Sequence, residues 1–129
     1  MGANEMTSQE SLWAGEFGSE YVQRNRGAGL VAANEELFRK VLARTGPVSS
    51  VLELGCNIGN NLKALRALLP DAELHGVEIN AEAAAEVTAW GGATVEVGSL
   101  TDRVADRTYD LTFTKGVLIH IAPERLPDA

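Results

Sequence analysis

Two acidic residues flank a glycine-punctuated turn, and their types and spacing point to nucleoside binding. Glu53 lies in Ser50-Val51-Leu52-Glu53-Leu54, a short run of the kind a parallel strand buries on both faces. Gly55-Cys56-Asn57-Ile58-Gly59-Asn60 follows at once. Gly55 and Gly59 free the backbone where a Cβ would block a ligand or force strain. Ile58, Leu62, Leu65 and Leu69 then recur at helical spacing. A strand, tight turn and helix in this order set a small molecule against bare backbone at the carboxyl end of the strand. Glu73-Leu74-His75-Gly76-Val77-Glu78 reads as the next strand, and Glu78 falls about 20 positions beyond the turn. An acidic side chain at that distance accepts hydrogen bonds from ribose hydroxyls.

The glycine spacing discriminates between ligands. A dinucleotide fingerprint needs Gly at the first, third and sixth positions of the turn. Here they hold Gly55, Asn57 and Asn60, which weakens a reading as a nicotinamide-dependent oxidoreductase. A phosphate-cradling loop needs Gly-Lys-Ser/Thr at the helix start, where this chain has Gly59-Asn60-Asn61. The pattern Glu53-x-Gly55-x-Asn57-x-Gly59 instead resembles the first motif of class I S-adenosylmethionine (SAM)-dependent methyltransferases. Asn57 stands where that motif usually has a second Gly. Asn is the residue besides Gly that best tolerates a left-handed backbone, so the turn survives.

Elsewhere the resemblance is closer. It is carried by Trp13-x-Gly15-x-Phe17-Gly18-x-x-Tyr21-x-x-Arg24-Asn25, by the turn from Glu53 to Asn60, by Gly76-Val77-Glu78-Ile79-Asn80 and by Thr114-Lys115-Gly116-Val117-Leu118-Ile119-His120-Ile121. Together these resemble the pseudaminic acid biosynthesis-associated methylase family over roughly Trp13 to Pro123. The resemblance implies SAM as cofactor and transfer of its methyl group to a small-molecule acceptor, a sugar or nonulosonic acid pathway intermediate. It implies cofactor contacts from Tyr21, Glu53, Gly55, Asn57, Gly59, Glu78, Ile79, Ser99, Leu100 and Lys115. Ser99 replaces an acidic residue common in the third turn, which touches the adenine, and Leu100 is placed to pack on the ring. The implied fold is α/β and Rossmann-like, a three-layer αβα class I methyltransferase fold. It has the first four parallel strands in order 3-2-1-4 behind N-terminal helices. Residues 1–129 form a single domain, with a helical cap over about 8–46 and the Rossmann-like half over 47–129.

The remaining elements must position these groups. Thr94–Val97 and Tyr109–Thr114 read as the third and fourth strands. Asn80 reads as an N-cap with Glu82 in the first turn behind it, and Ala81–Ala85 as helix. Trp13, Phe17 and Tyr21 recur every four residues, which aligns them along one helix face as packing or as a lid. The resemblance implies that this helix covers SAM, with Tyr21, Arg24 or Arg26 meeting its methionine carboxylate, an anion that a guanidinium suits. Asn34 reads as the cap of the next helix, with Leu37, Phe38, Val41 and Leu42 buried and Gly46-Pro47 as its stop. Arg39, Lys40 and Arg44 read as a solvated helix face. His120 is the general-base candidate, since its ordinary pKa lies near neutrality and it follows the fourth strand. The alternative is a histidine that packs the structure, as expected for mid-strand His75.

The chain has 129 residues, 45% hydrophobic and 22% charged, with a net charge of −7. That suits one domain with a modest core. The acidic balance weighs against nucleic acid, whose phosphates need a basic footprint. No apolar run is long enough to span a bilayer, and Met1–Ser11 lacks the features of a signal peptide. A single cysteine, Cys56, fits a reducing cytoplasm. It reads as a small residue in the turn, not as a nucleophile. No His, Cys and carboxylate spacing suggests a metal. Against the seven strands of a complete class I sheet, four are expected here, so the chain reads as C-terminally truncated relative to the family. The outer edge of the fourth strand is then a pairing surface, and a homodimer is expected through it. A SAM-binding module without turnover is the alternative function.

Overall fold

The computed structural model describes residues 5–24, 28–102 and 107–129, and of residues 21–24 and 28 the backbone alone. Five helices and four strands follow in the order α1 (Ser8–Ala14), α2 (Glu16–Arg24), α3 (Ala28–Leu42), β1 (Ser50–Leu54), α4 (Asn60–Leu68), β2 (Glu73–Glu78), α5 (Ala81–Trp90), β3 (Thr94–Val97) and β4 (Leu111–Phe113). A 3₁₀ turn at Leu118–His120 and a 3₁₀ segment at Pro123–Asp128 complete them. The sheet is parallel throughout, in the order β3-β2-β1-β4. This is the Rossmann-like arrangement expected from the sequence.

Register explains which side chains form the core. Val51 lies opposite Leu74 and Leu111, and Glu53 lies opposite Gly76 and Phe113. Alternation along the strands therefore gathers Val51, Leu74, Val95, Leu111 and Phe113 on one face. Phe38 of α3, Leu62 and Leu65 of α4 and Val87 of α5 close over that face in one apolar cluster. Gly76 is required beneath it, because a Cβ there would lie 2.6 Å from the Cys56 sulfur. Phe38 meets Phe113 with ring centroids 4.9 Å apart, which seats α3 over β4.

Several sequence expectations are corrected. The aromatic helix is two helices. Gly15 takes an extended backbone (φ −95°, ψ −151°) and ends α1, donating its N–H to Ser11 O. Trp13 and Phe17 thus belong to different helices, yet meet edge-to-face at 5.2 Å across the elbow. Asn34 lies inside α3 and caps nothing, and Leu37 is exposed. Helix α3 stops at Leu42, before Gly46-Pro47, because the N–H groups of Ala43, Arg44 and Thr45 take up its last carbonyls. Strand β4 spans only Leu111–Phe113. Asp110 precedes it and accepts from both the N–H and the hydroxyl of Ser49 at 2.8 Å, replacing ladder bonds with side-chain ones. Arg39 pairs with Glu35 and Glu36 on the surface, as a solvated face requires.

The elbow between α1 and α2 depends on Gly18, which is buried and whose Cβ would overlap the Trp13 carbonyl. Gly18→Ala is expected to destabilise the fold by about 1–3 kcal/mol through overpacking. Thermal denaturation checks it, and an unchanged midpoint would contradict this account of the elbow.

Candidate functional site

The turn after β1 is braced on β2: Gly55 N and Cys56 N both donate to Val77 O, at 2.7 and 3.1 Å. Three of its residues take positive φ: Gly55 (82°), Asn57 (51°) and Gly59 (86°). Asn57 therefore does adopt the left-handed conformation expected of it. At Gly55 a Cβ would also sit 2.6 Å from Val117, so a side chain there would collide with the segment after β4. Gly59 is the N-cap of α4.

Glu78 holds this turn in place. Its Oε1 accepts from Asn57 N at 2.7 Å and its Oε2 from Asn80 N at 2.8 Å. The carboxylate is buried, which raises its pKa against the lowering effect of these amide bonds. Asn80 in turn caps α5 by accepting from Ala83 N at 3.0 Å. Its Nδ2 donates to Trp13 O at 3.0 Å and lies 3.3 Å from the Ser19 hydroxyl, so one side chain ties the α1–α2 elbow to the sheet.

A cavity of about 240 Å³ opens at the carboxyl ends of the strands. Its floor is Gly55, Asn57, Val77, Glu78 and Ile79, and its far wall is Ser99 and Leu100. Lys115 and His120 reach it from beyond β4, and Trp13 covers it from α1. His120 packs against Trp13 with ring centroids 4.6 Å apart and the planes tilted by 53°. The structure thus brings eight of the expected site residues together. Two stand behind the wall. Gly59 sits under α4, and Glu53 is fully buried and meets the cavity only through Asn61, whose Nδ2 donates to Glu53 Oε2 at 2.6 Å. The Tyr21 and Arg24 side chains and all of Arg26 lie outside the described residues.

Sequence reading missed Asn61, Thr7, Glu10 and the ligand-side position of Asn80. Thr7-x-x-Glu10 is a capping-box signature that could have located the start of α1. Nothing in its spacing says that α1 closes a cavity.

The electrostatics are unusual. Burial pushes the Glu53 carboxyl up to about 8, with Glu78 adding to the rise and Asn61 and Lys115 opposing it. Burial, then the Glu53 and Glu78 carboxylates, push the Cys56 thiol up, so it is no nucleophile. Glu53 Oε1, Asn61 Oδ1 and Glu10 Oε2 are buried acceptors with no partner among the described residues. His75 contacts Glu73 and Tyr109 away from the cavity, as a structural histidine should. Among the described residues, no three His, Cys, Asp or Glu side chains are grouped to hold a metal.

A methyltransferase domain family matches residues 52–128. The chain belongs to this family. Solved structures extend the likeness across the methyltransferase domain and the helices before it. The plantazolicin methyltransferase BpumL, in complex with a monoazolic desmethylPZN analog and SAH, superposes with a TM-score of 0.69 at 18% identity, covering 92% of this chain and 50% of that one. The magnesium protoporphyrin IX methyltransferase ChlM from Synechocystis PCC 6803, with bound SAM, gives 0.68 at 16% identity over 98% of this chain and 70% of that one. SAM-bound CalS10, an amino pentose methyltransferase from Micromonospora echinaspora, gives 0.68 at 13% over 99% and 51%. At such identities the likeness concerns the fold. The chain spans about half the length of BpumL and CalS10. No curated protein matches the sequence. No described helix is long and apolar enough to cross a membrane.

Proposed function

We propose that this chain binds SAM and serves methyl transfer to a small-molecule acceptor. The observation that carries the reading is the set of enclosed acceptors around the cavity, together with Glu78 at the end of β2. Asn61 and Glu10, which line the cavity, offer enclosed oxygen atoms without donors, so the site calls for a donor-rich ligand. SAM has a sulfonium, an ammonium, a ribose diol and a 6-amino group. A pyrophosphate would instead face carboxylates; of the two cationic side chains described in the wall, Arg125 is committed to Asp102 at 2.7 Å and Asp128 at 2.9 Å, which leaves Lys115 alone to meet it.

In this reading Glu78 accepts from the ribose hydroxyls, and Gly55 gives the close backbone approach that its missing Cβ allows. Ile79 and Leu100 flank the adenine. Glu53 acts through Asn61 on the cationic end, and Lys115 faces that region. Bound SAM supplies an electrophilic methyl group. His120 is the group placed to take the acceptor's proton, and its tilted contact with Trp13 holds the ring. A sugar or nonulosonic acid acceptor is supported by the family resemblance of the sequence and by the likeness to an amino pentose methyltransferase. A cytoplasmic location is supported by the lone, buried Cys56. Self-association is supported by the outer edge of β4, which pairs with no strand among the described residues.

Titration calorimetry of the purified chain with SAM and S-adenosylhomocysteine tests the cofactor reading. Micromolar binding is expected, and no binding by a folded protein overturns it. Transfer of labelled methyl from SAM to a panel of sugars and nonulosonic acids tests the acceptor.

A further inference from the structure

Glu10 belongs to α1, outside every motif that suggested a cofactor. It is the third helical residue after the cap Thr7, and its Oε1 accepts from Thr7 N at 3.0 Å while Thr7 Oγ1 accepts from Glu10 N at 3.1 Å. That reciprocal pair accounts for one carboxylate oxygen. The other, Oε2, is enclosed and has no hydrogen-bond partner among the described residues. Burial raises the Glu10 pKa, but the neighbouring Ser99 hydroxyl and the Thr7 backbone and side chain lower it by more. The group is therefore ionised at neutral pH and accepts only. The Ser99 hydroxyl beside this carboxylate is also shared with Thr101 Oγ1 at 2.8 Å, so Oε2 keeps acceptor capacity that a ligand donor can use.

The register of the sheet says what lies in front of it. Glu78 at the end of β2 pairs with Val97 at the end of β3, and Gly98 N donates to Glu78 O at 2.9 Å. A nucleoside whose ribose is held by Glu78 must carry its base past β2 toward β3, onto the wall formed by Ser99, Leu100 and Thr101. Polar capacity on that wall is largely spent internally. Ser99 Oγ and Thr101 Oγ1 share a hydrogen bond at 2.8 Å, and Arg125 holds Asp102 at 2.7 Å. Glu10 reaches the same wall from the α1 side, and both it and Thr7 line the cavity there. The acceptor left over at the base end of the cavity is thus Glu10 Oε2.

Purines differ in what they offer to such an atom. Adenine presents an amino donor at its 6-position, whereas hypoxanthine and guanine present an oxo acceptor. A carboxylate attracts the first and repels the second. We propose that Glu10 reads the 6-amino group of the cofactor's adenine and sets the preference for adenosine over inosine. The proposal rests on the SAM reading above. It makes α1 part of the binding site and gives the N-terminal cap a specificity role that the turn after β3, with Ser99 in it, does not supply.

The test changes the ligand and the residue separately. S-Adenosylhomocysteine and S-inosylhomocysteine, whose 6-amino group is replaced by a carbonyl, are titrated into the wild type and into Glu10→Gln. Gln preserves the capping box, since its amide oxygen also accepts from the cap N–H. Its amide N–H then faces the base in place of the second oxygen. The wild type is expected to bind the adenosine ligand about tenfold or more tightly than the inosine ligand. In Glu10→Gln that ratio is expected to fall to one or to invert. A ratio unchanged in Glu10→Gln, or a wild type that binds both ligands equally, overturns the proposal while leaving the cofactor reading intact. A folded wild type that binds neither ligand overturns both. If circular dichroism finds Glu10→Gln unfolded, Glu10→Asp, whose shorter side chain draws the carboxylate back from the base, takes its place, and an unchanged ratio there overturns the proposal.

Discussion

Replacing Glu78 with alanine is expected to lower affinity for S-adenosylhomocysteine by at least about 100-fold, a loss composed of two parts. The first is the ribose diol, which loses its carboxyl acceptor, a bond worth about 0.5–3 kcal/mol. The second is structural. Glu78 bridges Asn57 N and Asn80 N, at 2.7 and 2.8 Å, across the turn after β1 and the start of α5. Without it two amides lose their partner, and the left-handed Asn57, with φ 51°, loses the bond that holds it. The turn can then relax away from the geometry that presents Gly55 to a ligand. Calorimetry measures the affinity, and denaturant unfolding separates the two parts. Retained micromolar binding by Glu78→Ala would remove Glu78 from the cofactor site.

Raising pH is expected to destabilise the ligand-free protein through Glu53, and Glu53→Gln is expected to abolish that effect. The carboxyl titrates near 4.5 when unfolded and is pushed up to about 8 when folded, first by burial and then by Glu78, against Asn61 and Lys115. Between those values the folded state holds a proton that the unfolded state has released. Stability therefore falls as pH rises through this window, and the full penalty applies above pH 8. A shift of that size corresponds to on the order of 5 kcal/mol. Wild type and Glu53→Gln should have similar stability near pH 4.5, with the variant increasingly more stable toward pH 8.5. Urea unfolding at several pH values follows the gap. A gap that does not change with pH would mean that Glu53 is not held neutral.

The sheet was legible because its strands are short, apolar and bounded by glycine or polar residues. The reading located Ser50–Leu54, Glu73–Glu78 and Thr94–Val97 with the bounds observed, and right-handed crossovers then leave little choice of order. The N-terminal third was less legible. A four-residue aromatic period fits one helix, and it equally fits two helices whose elbow brings Trp13 and Phe17 together. Only the backbone at Gly15 distinguishes them. Asn34 was misread because a cap preference is weak beside the burial of Phe38 one turn later. At the site, glycines and Glu78 announce themselves through backbone demands and fixed spacing. Glu10 and Asn61 do not, since what they face is decided by helices arriving from elsewhere in the chain.

Asn80 sets an order of events during synthesis. The carbonyl of Trp13 is bonded by a side chain 67 residues further along the sequence. The first two helices therefore have no fixed seat as they leave the ribosome, and none until β2 and the start of α5 have followed them. Contacts this distant in sequence form late, after the local ones have reduced the entropy of closing the loop. Until then Trp13 has Phe17 beside it but not the Asn80 side chain that holds its carbonyl. A nascent chain stalled before residue 80 should therefore leave its N-terminus open to protease, and one stalled well beyond it should not.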